Sequence, residues 1–124
     1  MKPAQKTHLA VLLPMPAQHI RVLLDRSFSK AETDLLKLGF IPRETDDRWF
    51  IYFENNQLHF HRSWSGVYIF QVFLTEMDGG TLRMTHAIVN RDLQQYTETR
   101  PERDAERILH LVNNFLLNHK NEND

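Results

Sequence analysis

The run of residues from Trp49 to Phe53 consists entirely of aromatic and β-branched side chains. Such side chains fit the pleated surface of a sheet and are poor choices for the exposed side of a helix, so the run predicts a β-strand. Asn55 and Asn56 follow, and they favour a two-residue hairpin turn because asparagine tolerates positive φ angles. A hairpin that turns here pairs its strands residue by residue: Phe53 with Leu58, Ile51 with Phe60, and Trp49 with Arg62. One face of this hairpin is mostly apolar, and the other is aromatic with polar edges.

Two more strands are predicted after the hairpin. A turn is predicted at Trp64-Ser65-Gly66. Residues 67–74 are apolar on both faces apart from Gln71, which is typical of a strand covered on both sides. Asp78-Gly79-Gly80 is a second strong turn signal, and residues 81–89 form the fourth strand.

Three helices are predicted around these strands. Residues 17–28 favour a helix, because Pro16 suits its start and apolar residues recur at helical spacing, although Ile20, Val22 and Leu24 also alternate as in a strand. Ser29 and Glu32 form a capping box that opens a second helix, which Gly39 ends. Thr99 and Glu102 form another capping box, which opens a C-terminal helix with an apolar stripe.

The expected fold is therefore a single α+β domain over residues 1–124, with frayed ends at about residues 1–7 and 119–124. Its sheet is antiparallel and has four strands or slightly more, its helices pack on the sheet, and the element order is α-α-β-β-β-β-α.

Composition excludes several classes of function. Fifteen basic and sixteen acidic residues give a formal charge of −1, so no overall positive field attracts nucleic acid or a membrane surface. Without cysteine, disulfides, thiolate catalysis and cysteine zinc sites are excluded. The apolar run at residues 9–13 is too short to span a membrane and is followed by prolines. We expect a cytoplasmic protein, either monomer or homodimer, with neither nucleic-acid nor membrane partners.

The strand histidines are candidate metal ligands. His59 and His61 stand two residues apart on a strand and project from the same face as Tyr52, and His86 could join them from another strand. Zinc or iron would need a third ligand, preferably an acidic one, and neither Glu54 nor Asp78, the nearest in sequence, has a clear reason to converge on the histidines. We favour the alternative in which these histidines lie at the boundary between an aromatic surface and water. We therefore expect neither a metal nor another cofactor.

The segment from Leu58 to Gly66 concentrates the most unusual chemistry. Arg62 can hold a phosphate or carboxylate with two parallel hydrogen bonds, and Trp64 can stack on a base, so the pair suits a nucleotide-like ligand or a protein partner. His61 and Trp49 are the neighbouring candidate residues. The structural alternative is that Trp64 closes the end of the core while Arg62 stacks on Trp49 or pairs with a carboxylate.

Asn90 and Arg91 follow the last predicted strand. They either line the site with Arg62 or form a hydrogen-bonded turn, for which asparagine and the adjacent Asp92 are well suited. Ser63 and Ser65 lie near His61 but outside a Gly-x-Ser-x-Gly elbow, and no glycine-rich phosphate loop is present, so no catalytic residue is assigned.

Three segments form a recurrent pattern: Trp-Phe at the start of residues 49–54, His-Arg-Ser-Trp-Ser-Gly within 58–66, and Asn-Arg-Asp-x-x-Gln-Tyr within 89–96. The pattern covers roughly residues 48–118 and resembles a small bacterial domain of uncharacterised function that occurs alone or beside ADP-ribose-processing domains. Ser65 stands where that domain usually has threonine, and Leu93 where it usually has proline. The resemblance implies a link to ADP-ribose or nucleotide metabolism, carried by Arg62, Trp64, Asn90 and Arg91.

The leading hypothesis is a non-enzymatic binding or accessory domain that presents Arg62 and Trp64 to a protein partner or to a nucleotide-like ligand of the ADP-ribose type. One alternative is a small hydrolase or metal-dependent enzyme that uses the strand histidines. Another is an immunity or chaperone-like protein-interaction domain.

Overall fold

The computed structural model describes residues 2–9 and 11–118, in which one antiparallel sheet has five strands. The strands are β1 (His19–Ser27), β2 (Trp49–Glu54), β3 (Gln57–Arg62), β4 (Tyr68–Met77) and β5 (Thr81–Asn90), and the helices are α1 (Lys30–Leu38) and α2 (Pro101–Leu111). The sheet order is β1-β5-β4-β3-β2. The predicted four-stranded order α-α-β-β-β-β-α is therefore wrong, and the observed order is β-α-β-β-β-β-α. Of the predicted frayed ends, residues 1 and 119–124 lie outside the described residues.

The error lies in residues 17–28, which were predicted to be a helix and contain β1. Burial alternates along this strand: Val22 and Leu24 are buried, whereas Leu23 between them is 75% exposed. A helix with apolar residues at the predicted spacing would instead have buried both Leu23 and Leu24. The hydrogen-bonding partner of β1 is β5, with Val22 opposite Ala87. Because every paired residue of β1 has its partner more than fifty positions further along the chain, local spacing could not reveal the partner strand.

The predicted hairpin is confirmed. Asn55 and Asn56 have φ angles of 57° and 56°. The strands pair in the predicted register, with Ile51 opposite Phe60 and Trp49 opposite Arg62. The left-handed turn therefore fixes which side chains reach each face of β2 and β3.

The cap of α1 is also confirmed. The Ser29 Oγ accepts from the Glu32 N–H at 3.1 Å, and the Glu32 Oε1 accepts from the Ser29 N–H at 2.9 Å. Gly39 ends the helix with a φ of 67°, and a Cβ there would lie 2.3 Å from the Ile51 carbonyl oxygen. Gly39 thus permits both the turn and the close approach of the chain to β2.

The cap predicted for α2 is wrong. Arg100 is the N-cap and makes no capping hydrogen bond through its side chain, and Pro101 is the first helical residue. The Glu98 carboxylate accepts from the backbone N–H groups of Thr99 and Arg100 at 3.0 and 3.3 Å. Glu98 therefore accepts the Thr99 N–H that the Glu102 side chain was expected to accept in the capping box. After Leu111 the helix continues as a π-helical segment, Val112–Leu117.

The main hydrophobic core lies between the helices and one face of the sheet. The sheet contributes alternate residues from every strand, including Val22, Ile51, Phe60, Phe70 and Ala87, while α2 contributes Ile108 and Leu111. Trp49 is part of this core, stacked at 5.9 Å on Phe70 with a 16° angle between the rings.

The N-terminal segment covers the other face of β2 and β3. Ala4 is buried with Phe50 and Tyr52, against which Leu9, Leu12 and Ile41 pack. The Ala4 N–H donates to the Leu38 carbonyl at 2.7 Å, and the Leu13 N–H donates to the Gly66 carbonyl at 2.9 Å. Both faces of this end of the sheet are therefore covered.

Within the part of the chain that the structure describes, no helix combines the length and the apolar character needed to cross a membrane.

The strand assignment of residues 19–27 predicts opposite results for two adjacent leucines. Leu24→Ala empties a buried position, and we expect it to lower the free energy of unfolding by about 2–4 kcal/mol. Leu23→Ala trims an exposed side chain, and we expect a change of at most about 0.5 kcal/mol. Urea unfolding of the two variants measures the difference. Equal losses would contradict the strand, because they are the result expected of a helix that buries both leucines.

Candidate functional site

The turn after β3 holds its residues by backbone hydrogen bonds. The Arg62 N–H donates to the Val67 carbonyl at 2.8 Å, and the Gly66 N–H donates to the Arg62 carbonyl at 2.9 Å. Gly66 has a φ of 76°, and a Cβ there would lie 2.3 Å from the carbonyl oxygen of Val11. Only glycine fits this close approach. The backbone of the turn that carries Arg62 and Trp64 therefore has a fixed conformation.

Trp64 projects from this turn into solvent. Its side chain is 67% exposed, and its Nε1–H donates to the Thr45 carbonyl at 3.0 Å. The neighbouring Ser63 is buried, and its Oγ donates to the Asp47 carbonyl at 2.6 Å. Trp64 therefore does not close the core: its indole is tethered at one edge and open to solvent over most of its surface.

Three arginines and Trp64 line one cavity of about 330 Å³, which we call the arginine cavity. Its lining residues are Arg48, Arg62, Ser63, Trp64, Ser65 and Arg107. The Arg62 guanidinium lies 4.4 Å from the ring centre of Trp49, and the Arg107 guanidinium lies 5.6 Å from it. None of these arginines pairs with a carboxylate of the described residues. The cavity is thus positively charged, and no acidic residue lines it.

The arginines affect one another. Burial lowers the pKa of Arg62, and the nearby positive charges of Arg107 and Arg48 lower it further, while Tyr96 raises it. The guanidinium stays protonated at neutral pH, because the ordinary pKa of arginine is far above 7. An anion in the cavity would therefore relieve the repulsion between these positive charges, which the protein compensates only in part.

A second cavity of about 300 Å³ adjoins the first, and we call it the Glu98 cavity. It is lined by Arg62, Gln95, Tyr96, Thr97, Glu98 and Arg107. Arg62 and Arg107 therefore belong to both cavities. The Tyr96 ring lies 5.9 Å from the Arg107 guanidinium.

Asn90 is the last residue of β5 and Arg91 begins the loop that leads to α2, and neither residue lines the two cavities. The Arg91 Nη2 donates to the Asp104 Oδ2, and the Tyr96 hydroxyl donates to the Asp104 Oδ1 at 3.0 Å. Asp104 is fully buried, and burial together with the Asp104 charge raises the pKa of Tyr96 to about 12. This buried network fixes Tyr96 and the first turn of α2, the helix that carries Arg107.

His61 and His59 face away from the arginine cavity, beneath the N-terminal segment. The His61 Nδ1 donates to the Gly66 carbonyl at 2.9 Å, while its buried Nε2 has no hydrogen-bond partner within the described residues. The ring stacks on Tyr68 at 4.2 Å, and the Tyr68 hydroxyl donates to the His59 Nδ1. Burial, with a smaller effect of His59, lowers the pKa of His61 to about 4. Both histidines are thus parts of a buried aromatic stack.

The strand histidines do not form a metal site in the described residues. His86 stacks on Phe73 at 4.4 Å, away from His59 and His61 in the sheet. Across residues 2–9 and 11–118, no three histidine, aspartate or glutamate side chains are grouped so that they could hold a metal ion.

Sequence reasoning missed Arg48 and Arg107. Arg48 precedes β2 and Arg107 lies on the exposed side of α2, so no local motif joins either residue to Arg62. Only the packing of α2 beside the strand ends brings the three together. In the sequence, Arg107 falls outside the apolar stripe of α2. An arginine in that position by itself indicates only the exposed surface of a helix.

The buried His61 predicts a dependence of stability on pH. An unfolded histidine takes up a proton below its ordinary pKa of 6.5, whereas folded His61 does so only near pH 4. The unfolded state therefore binds more protons between these values, and the free energy of unfolding falls as the pH falls, by about 3 kcal/mol for this group. We expect His61→Phe to cost about 1 kcal/mol at pH 7 through the lost hydrogen bond and to flatten this dependence. Urea unfolding at intervals from pH 7 to pH 4 tests it; an equally steep loss in His61→Phe would show that other groups cause the effect.

In comparisons with known proteins, no family model, curated protein or solved structure matches this chain.

Proposed function

We propose that this chain is a binding domain whose arginine cavity holds the phosphate groups of a nucleotide-like ligand, with the planar base of the ligand on Trp64. The observation that carries this proposal is the convergence of Arg48, Arg62 and Arg107 on a cavity with no acidic lining residue. Planar guanidinium groups match the geometry of phosphate oxygens, and they bind phosphate with paired, charge-assisted hydrogen bonds.

The exposed ring of Trp64 favours a ligand that carries a planar group. A large aromatic side chain that is 67% exposed beside a positively charged cavity offers a stacking surface. Stacking of a base on such a ring contributes about 1–3 kcal/mol. Trp64 also stays oriented through its hydrogen bond to Thr45, so little order has to be gained on binding.

A small ligand fits better than a protein partner, because the arginines line a concave space of about 330 Å³, within the range of small-molecule sites. Binding fits better than catalysis, because no carboxylate or histidine lines the arginine cavity and the Ser63 hydroxyl is committed to the Asp47 carbonyl. The sequence resemblance implies a ligand of the ADP-ribose type, which combines a base with two phosphates.

Calorimetric titration of the full chain with ADP tests the proposal. Arg62→Gln and Arg107→Gln each remove a hydrogen-bonding positive charge, and we expect each to weaken ADP binding at least tenfold. Trp64→Ala removes the stacking surface, and we expect a loss of about tenfold. Arg107 is the more decisive position, because it is exposed and its loss leaves the core intact.

Arg21→Gln is the matched control. It makes the same change of charge at an exposed arginine of β1, and we expect ADP affinity to stay within about twofold. Equal losses in Arg21→Gln and Arg107→Gln would reduce the effect to overall charge and contradict a defined site. Failure of both ADP and ADP-ribose to bind the unmodified chain would overturn the proposal.

A further inference from the structure

The two cavities share one wall. Arg62 and Arg107 line the arginine cavity on the Trp64 side and the Glu98 cavity on the Tyr96 side. Phosphates held between these two arginines would therefore have space on both sides. One side offers an aromatic surface, and the chemistry of the other side determines what the far end of the ligand can be.

Glu98 gives the second cavity a hydrogen-bond acceptor. Its Oε2 accepts from the N–H groups of Thr99 and Arg100 at 3.0 and 3.3 Å, whereas no hydrogen bond from the described residues reaches its Oε1. The hydrogen bond from Thr99 is the main cause that lowers the pKa of Glu98, so the side chain is a carboxylate at neutral pH. A carboxylate repels a further phosphate and accepts hydrogen bonds from hydroxyl groups.

Gln95 adds a donor of fixed orientation. Its Oε1 accepts from the Asn90 Nδ2 at 2.9 Å, and Asn90 is itself held by a bond from the same Nδ2 to the Tyr68 carbonyl at 2.8 Å. The Gln95 Nε2 has no acceptor within the described residues. Asn90 therefore acts as a positioning residue, and the amide of Gln95 keeps its two N–H groups for a ligand.

We infer that the Glu98 cavity is a subsite for the hydroxyl groups of a sugar that is joined to the phosphates of the ligand. Hydroxyl groups both donate and accept, so the hydroxyls of one sugar match the acceptor of Glu98 and the donors of Gln95 that line this cavity. Tyr96 is buried and hydrogen-bonded to Asp104, so it forms a fixed wall of the subsite. This inference rests on the proposed function, and it narrows the ligand class to nucleoside diphosphates that carry a sugar on the second phosphate.

Two probes of equal charge test the subsite: ADP-ribose, and the methyl ester of ADP on its second phosphate, which lacks the second sugar. In calorimetric titration of the unmodified chain, we expect ADP-ribose to bind about tenfold more tightly than the ester, through its hydrogen bonds to a charged group. Glu98→Ala removes the acceptor. We expect it to reduce this ratio to about threefold, which is the contribution of the hydrogen bonds that the Gln95 amide still makes, through weaker binding of ADP-ribose, with the ester bound as well as before or better.

Glu102→Ala is the matched control, since it removes an exposed carboxylate from the first turn of α2, outside the Glu98 cavity, and should preserve the ratio. If the unmodified chain binds the two probes equally, or if the tenfold ratio survives in Glu98→Ala, the subsite is wrong while the proposed function stands. If neither probe binds, the proposed function itself fails.

Discussion

The indole ring of Trp49 belongs both to the hydrophobic core and to the positively charged site. Phe70 stacks on it at 5.9 Å and Phe60 meets it edge-on at 6.2 Å, so packing fixes the ring. The guanidinium groups of Arg62 and Arg107 lie 4.4 and 5.6 Å from its centre. Arg62 comes from a strand end and Arg107 from a helix, and this ring is the element they share. The position of the cavity therefore depends on the packing of one core residue.

Cation–π contact explains how two arginines can lie close together without a carboxylate partner. Each such contact contributes about 0.5–2 kcal/mol, depending on how far the cation is removed from water. That attraction offsets part of the desolvation and of the mutual repulsion that lower the pKa of Arg62. It leaves the hydrogen-bond donors at the rim of each guanidinium uncommitted, whereas a salt bridge would have used them. An aromatic support thus holds arginines in place while they remain able to bind an anion.

Local signals predicted those parts of the fold that local chemistry determines. The Asn55-Asn56 turn set the register of its hairpin, and Ser29 with Glu32 set the start of α1. The helix predicted for residues 17–28 was wrong because apolar spacing there fits both periodicities and the partner strand is distant. In the site, Arg62 and Trp64 were identified because they share a turn with unusual composition. Arg107 could not be, since only tertiary packing brings α2 to the strand ends.

The candidate residues His61 and Arg62 do not lie in one site. His61 precedes Arg62, and adjacent strand residues point to opposite faces, so one enters the buried aromatic stack and the other the cavity. Gly66 still connects them: its carbonyl accepts from the His61 Nδ1 and from the Leu13 N–H, both at 2.9 Å, and its own N–H donates to the Arg62 carbonyl at 2.9 Å. Both acceptor positions of that carbonyl are therefore filled from the covered face of the sheet. The N-terminal segment and His61 thus fix, from behind, the turn that presents Arg62 and Trp64 in front.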